Sequence, residues 1–246
     1  MNPKLWQRLQ RQLAPGELRL DESTLASHSG DKWFATAAPE AVALPRSAKS
    51  VSAILRFAHR HQIPVTPRGA GYGYVGGCVP VRGGIVLSTA RMRRIREINE
   101  NDFVAVVQPG VITADLQNKA EVKGLYYPPD PASRADCSLG GNIATNAGGP
   151  RSLKYGVTSD YVLGLQFALA DGTLVRVGGR AHKNKTGFDF PRFFTGTEGL
   201  LGIVTEATLK LLPLPPFRAA LSVGLGSMRA ATRGIAAVFK AGYLPS

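Results

Sequence analysis

A mixed fold of helices and strands is predicted for this chain from three observations. A helical apolar face over 48–61 runs directly into a short apolar strand; two strand-like runs flank Asp171-Gly172; and apolar and polar residues alternate over 203–211. The 246 residues suffice for one large domain or two small ones with a real core. Hydrophobic residues make up 44% and charged residues 19%, values that exclude a disordered chain. No stretch approaches the ~20 apolar residues of a spanning helix, and the first residues lack the apolar core of a secretory signal. Cys78 and Cys137 are the only cysteines. A disulfide framework is therefore not indicated, and a reducing, cytoplasmic setting is expected.

The individual elements read as follows. Leu5, Trp6, Leu9 and Leu13 fall at helical spacing and predict a short amphipathic helix ending near Pro15-Gly16. Ser47 is the expected cap of the helix over 48–61, with Val51, Ile54, Leu55 and Ala58 on one face. Strands are predicted at 63–66, 84–88, 94–98 and 103–107, the last two joined by the polar turn 99–102. Thr113 is the expected cap of a helix over 114–123 that stops at Gly124. The prolines of 126–131 forbid a helix there. Asp171-Gly172 is expected to form a type I′ turn between 162–170 and 173–177. Pro213, Pro215 and Pro216 read as a linker. Beyond them a strand over 221–225 and a helix capped by Ser227 and stopped by Gly242 are predicted, with Met228, Ala231, Ile235, Val238 and Phe239 on the helix's apolar face. One such β-α unit cannot cover its own apolar face, so a truncated second domain is expected.

The formal charge of +13 admits nucleic acid, an anionic membrane surface or an anionic small molecule as partner. No helix-turn-helix pattern, zinc-finger spacing or RNP aromatic signature occurs, so nucleic acid is not expected. The dense patch of Arg91, Arg93, Arg94 and Arg96 alternates with Met92, Ile95 and Ile98, as a solvated strand face or turn would.

The 28 glycines are bunched rather than spread. Segment 67–77 (PRGAGYGYVGG) holds a formal G-x-G-x-x-G at Gly71, Gly73 and Gly76. The dinucleotide-fold meaning of that pattern requires a helix opening at once and an acidic residue about 20 positions on. Pro80, Gly83 and Gly84 break any helix here, so that meaning fails. Closely spaced glycines still let several backbone N–H groups converge on one anion, and a diphosphate is the natural ligand. A glycine-rich structural turn is the alternative. Segment 138–149 (SLGGNIATNAGG) reads as a second loop of small residues, amides and hydroxyls, uncharged and able to lie against a planar heterocycle. A diphosphate and a flat ring are the two parts of a dinucleotide.

These segments, with VQPGV (107–111), YPPDP (127–131), LKYGVTSDYVLGL (153–165) and TGTEGLLGIVTEATLKLLP (195–213), occur in an order that resembles the FAD-binding domain of the vanillyl-alcohol-oxidase/PCMH superfamily. The nearest branch is that of glycolate oxidase flavin subunits and FAD-linked D-lactate or D-2-hydroxyacid dehydrogenases. The resemblance covers 40–215. It implies an α+β fold with FAD held between two lobes, preceded by a helical lead-in over 1–39 and followed over 216–246 by the start of a truncated α/β cap domain. It implies that Pro67, Arg68, Gly69, Ala70, Gly71, Tyr72 and Gly73 wrap the diphosphate, and that Ser138, Gly141, Asn142, Thr145 and Asn146 lie along the flavin and diphosphate. Glu198, Gly202, Ile203 and Val204 fall near the adenosine, and Pro129 and Asp130 match another cofactor-lining stretch. Tyr72-Gly73-Tyr74-Val75 replaces the Thr-Gly-Leu-Ser often found in the family, which removes two hydroxyls while the tyrosines bring two others. Some members tether the flavin to a histidine in the first loop; none occurs here, so non-covalent FAD is expected.

The resemblance implies an oxidoreductase that oxidises a 2-hydroxy acid such as D-lactate or glycolate, with hydride passing to the flavin. Partners would be that acid and an electron-acceptor subunit or a separate cap-domain chain, with membrane attachment only through a partner. A non-catalytic FAD-binding module is the alternative. The family's substrate-orienting Arg, catalytic His and His/Glu metal site lie in the cap, so no catalytic residue and no metal ligand is assigned. Of His28, His59, His61 and His182, only His59 and His61 are close in sequence, and they give no metal site, since residues two apart on a helix point apart.

Overall fold

The computed structural model describes residues 3–245; Met1, Asn2 and Ser246, the outer ends of the expected lead-in and final segment, lie outside the described residues. The first lobe runs through α1 (Pro3–Gln10), β1 (Leu18–Arg19), α2 (Glu22–Ser27), β2 (Ala41–Ala43), α3 (Ala48–His61), β3 (Val65–Arg68) and β4 (Ile85–Ser88). Its sheet has the order β1-β2-β4-β3, with β2 and β3 parallel to the central β4 and β1 antiparallel at the edge. Ser47 caps α3 as expected, its side chain accepting from the Ser50 amide at 3.1 Å. Gln62 ends the helix in the left-handed conformation. The buried face of α3, Val51, Ile54, Leu55, Phe57 and Ala58, packs with Ile85 and Leu87 of β4. Trp6 and Leu9 of α1 and Leu18 of β1 join the same core, so much of 1–39 packs as part of this lobe. Each such side chain contributes roughly 1.5–3 kcal/mol of burial.

The second lobe comprises β5 (Ile95–Asn99), β6 (Val104–Val107), α4 (Thr113–Glu121), β7 (Leu125–Tyr126), α5 (Leu139–Thr145), α6 (Ser152–Tyr155), β8 (Val162–Ala168), β9 (Leu174–Gly178), α7 (Phe190–Phe194), β10 (Ile203–Lys210) and β11 (Leu212–Pro213). Its five-stranded sheet, β5-β6-β10-β8-β9, is antiparallel throughout. The alternation over 203–211 becomes strict burial alternation along β10. On the inner face Ala207 and Leu209 meet Leu116 of α4 and Ile143 of α5. On the outer face Glu206 holds Arg96 at 2.7 Å and Arg176 at 3.2 Å. The lobes join along α3: Ala168 and Ile203 belong to the first lobe's core, and the Ser52 hydroxyl donates to the Gly172 carbonyl at 2.5 Å.

Five local expectations are corrected. Pro213 is not linker, because with Leu212 it forms β11 and pairs with Leu125 and Tyr126 of β7. Segment 138–149 is not a loop throughout, because Ser138 caps a helix whose Leu139 and Ile143, four apart, both enter the second core. Thr113 does not cap α4. It is the first helical residue, Ile112 precedes it as cap, and its hydroxyl is engaged by Asn142 Nδ2 at 2.6 Å and by the Cys137 carbonyl at 3.3 Å. The β8–β9 turn is not type I′, which needs positive φ at both central residues. Gly172 has φ +83° and Asp171 does not join it; instead the Asp171 carboxylate accepts from the Thr173 amide at 2.8 Å. Residues 221–225 form no strand, having no neighbouring strand to bond with. The helix α8 (Met228–Lys240) forms as expected, capped by Ser227, and Met228, Ile235, Val238 and Phe239 on its apolar face are exposed.

Candidate active site

A cleft enclosing about 1110 Å³, its open mouth included, separates the lobes. Its walls are the end of β3 with the glycine segment after it, the N-terminal part of α5, and the loop that leads into β10. Fifteen of the eighteen expected cofactor residues line it: Pro67 to Gly73 on one wall, Ser138, Gly141, Asn142 and Thr145 on the second, and Glu198, Gly202, Ile203 and Val204 on the third.

The two glycine segments touch. Ser138 Oγ accepts from the Ala70 amide at 3.2 Å while also accepting from the Gly141 amide at 3.3 Å, the capping bond of α5. A Cβ on Gly69 would stand 2.6 Å from that same hydroxyl and 3.3 Å from the Gly141 backbone, so the approach demands glycine. Beyond Ala70, the amides of Gly71, Tyr72 and Gly73 donate to no acceptor among the described residues, which leaves successive N–H groups for an anion. Thr145 Oγ1 donates to the Gly141 carbonyl at 3.0 Å. Asn142 points inward and donates to Thr113, so it braces α5. Glu198 holds φ +54°, and its amide donates to the Ala144 carbonyl at 2.8 Å, tying the third wall to the second.

Pro129, Asp130 and Asn146 do not line the cleft. The Pro129 carbonyl accepts from Gln117 Nε2 at 2.8 Å. Asp130 is buried against Arg151, with Nε to Oδ2 at 3.1 Å. Asn146 takes the left-handed position that ends α5, and its Oδ1 accepts from the Ser159 amide at 2.8 Å. Only Asn146 belongs to α5, as its C-cap; Pro129 is tied to α4 through Gln117, and Asp130 to Arg151.

The charged groups of the lining are Arg68, Asp31 and Glu198. Arg68 Nη1 donates to the Gly30 carbonyl. Burial pushes the Cys78 thiol up, against the pull of Arg68, so it stands as a neutral thiol rather than a nucleophilic thiolate. The Tyr72 phenol is also pushed up, by burial and by the Asp136 carboxylate. No group of three His, Cys, Asp or Glu side chains able to hold a metal occurs among the described residues. No helix among them is long and apolar enough to cross a membrane.

The sequence reading missed Asp31, Thr89, Ser133, Phe194 and Thr197 as lining residues. Thr197 stands inside the quoted 195–213 motif and was within reach; the others carry no local pattern.

A narrow cradle that a Cβ would fill, unpartnered loop amides and a long cleft between two glycine segments fit an elongated nucleotide with a diphosphate at its middle. Comparison with known proteins points the same way. Residues 39–178 match the family described as an FAD binding domain. The chain is 45% identical over 208 residues to the glycolate oxidase subunit GlcD of Bacillus subtilis, covering 85% of this chain and 44% of that protein. It is 41% identical over 225 residues to the D-2-hydroxyglutarate dehydrogenase of Stutzerimonas stutzeri, covering 91% and 48%. Among solved structures, an alkyldihydroxyacetonephosphate synthase superposes with a TM-score of 0.79 at 25% identity, over 88% of this chain and 41% of that one. The chain thus spans less than half the length of these relatives.

Proposed function

The chain belongs to the PCMH-type FAD-binding domain family, related to glycolate oxidase and D-2-hydroxyacid dehydrogenase members, and from that premise we propose that it holds FAD non-covalently in the interlobe cleft as the flavin-binding part of a 2-hydroxyacid oxidoreductase. The observation that carries this reading is the junction of the two glycine segments through Ser138 Oγ and the Ala70 amide. Bound there, FAD supplies the acceptor for a hydride. The protein's part is to bind and orient. The amides from Gly71 to Gly73 meet the diphosphate, with Arg68 supplying positive charge. Ser138, Gly141 and Thr145 lie along the nucleotide, and Glu198, Gly202, Ile203 and Val204 hold its adenosine end. The uncharged second wall would let a planar ring lie against it without burying a charge. The substrate class follows the relatives, whose names concern glycolate, D-lactate and D-2-hydroxyglutarate.

A second reading, an FAD-binding module that turns over only with a partner chain, is favoured by the apolar face of α8, where Ile235, Val238 and Phe239 remain 56%, 42% and 41% exposed. One experiment separates the two. The FAD-loaded chain is mixed anaerobically with glycolate, D-lactate or D-2-hydroxyglutarate, and the flavin band is followed. Bleaching by one of them supports the enzyme; a stable flavin spectrum with all three supports the module.

A further inference from the structure

Residues 28–36 precede the matched family region, yet they fasten onto the first glycine segment. Gly30 and Thr36 pair as an isolated antiparallel bridge, and the Lys32 amide donates to the Gly73 carbonyl at 3.0 Å. Arg68 reaches across to the Gly30 carbonyl, and Lys32 Nζ lies 4.8 Å from the centre of the Tyr72 ring. This clasp carries Asp31 into the lining of the cleft. One carboxylate oxygen, Oδ1, accepts from the Trp33 amide at 2.8 Å. The other, Oδ2, is buried, accepts from no donor among the described residues, and stands 3.5 Å from where a Cβ of Gly73 would be.

A carboxylate oxygen shut off from water is costly without a donor, so this atom has a binding partner to find. Phosphate cannot be that partner, because both are anionic. A hydroxyl can. If the amides of 71–73 hold the diphosphate, the reading on which this inference rests, then the groups next to it in a flavin dinucleotide are the hydroxyl-bearing ribityl chain and ribose. We propose that Asp31 is a cofactor-binding residue whose Oδ2 accepts a hydrogen bond from a hydroxyl flanking the diphosphate. The clasp is then the part of the site that sets where the sugar lies, and the segment's attachment to Gly73 fixes the distance.

The test is FAD affinity, read by quenching of flavin fluorescence on the full chain, together with thermal unfolding of the FAD-free protein. Asp31→Asn keeps the acceptor for the Trp33 amide and the side-chain shape but places an NH₂ donor where Oδ2 stood. The proposal expects the FAD Kd to rise about tenfold or more, as for loss of a hydrogen bond to a charged group, while the melting temperature of the FAD-free chain stays level or rises because an unpaired buried charge is removed. Asp31→Ser, which also retains an acceptor for Trp33, is read in its place if the Asn variant does not fold. An unchanged or tighter Kd overturns the proposal, and so does a loss of affinity matched by an equal loss of stability. Failure of the unsubstituted chain to bind FAD overturns the cofactor reading itself, a result distinct from failure of Asp31 alone.

Discussion

Ser138 Oγ lies 3.2 Å from the amide nitrogen of Ala70, a hydrogen bond between residues 68 positions apart that closes the first glycine segment onto the start of α5. The same hydroxyl caps α5 through the Gly141 amide. One atom therefore starts a helix and fixes the width of the cleft, so its removal acts on folding and on binding together.

Ser138→Ala is expected to lower the unfolding free energy by about 1–2 kcal/mol, the usual size for a lost helix cap with a second bond attached. Urea denaturation measures it. FAD affinity falls with it because the two walls lose their tie, whereas a variant with wild-type stability and affinity contradicts the role given to the hydroxyl.

Gly69→Ala drives a methyl to within 2.6 Å of Ser138 Oγ and 3.3 Å of the Gly141 backbone, so the walls must part. Overpacking of this kind costs about 1–3 kcal/mol. FAD binding should weaken by more than the stability change alone explains. Gly179→Ala, where nothing lies within 4 Å of the added carbon, is the neutral control.

Glu198 adopts φ +54°, a left-handed conformation that costs a side-chain-bearing residue roughly 1–2 kcal/mol. Glu198→Gly releases that strain and makes the FAD-free chain more stable by about 0.5–1 kcal/mol, the remainder going to the freedom glycine gains when unfolded. The variant should bind FAD less tightly, since the carboxylate is lost from the third wall. Thermal unfolding and fluorescence titration on one preparation give both signs.

The Arg180 guanidinium grips Glu97 at 2.7 and 2.9 Å and pulls its carboxyl from the ordinary 4.5 down to about 2, helped by Asn99. A carboxyl depressed in the folded state adds stability above its unfolded pKa and loses it as pH falls through the folded value. Stability should therefore decline between about pH 4.5 and pH 2. In Arg180→Ala that part of the decline disappears, and the contribution is modest because the pair is exposed. Denaturation midpoints across this window decide it.

Much of the fold was legible because local chemistry and tertiary packing agreed. Ser47 followed by apolar residues at helical spacing is a cap and a face at once, and both are found. The alternation along β10 survives because one side of its sheet faces a core and the other carries the Glu206 ion pairs. Elements whose form depends on distant partners were not legible. Thr113 has the right residue type for a cap, but Asn142, 29 positions away, takes its hydroxyl into the core instead. Residues 138–145 look too rich in glycine for a helix, yet Ser138 and the burial of Leu139 and Ile143 overcome that cost. Segment 221–225 has strand composition and no strand to join. In the site, the glycine-rich walls announced themselves through composition, whereas Asp31 reaches the cleft through the Gly30–Thr36 bridge and the Lys32–Gly73 and Arg68–Gly30 bonds, and has no sequence signature.

The most direct test is a fluorescence titration of the purified, FAD-free chain with FAD, run beside the Gly69→Ala variant. Saturable uptake of one FAD per chain, weakened in the variant, is the predicted result. No uptake, or uptake indifferent to that methyl group, would mean that the two glycine-rich walls do not share a nucleotide.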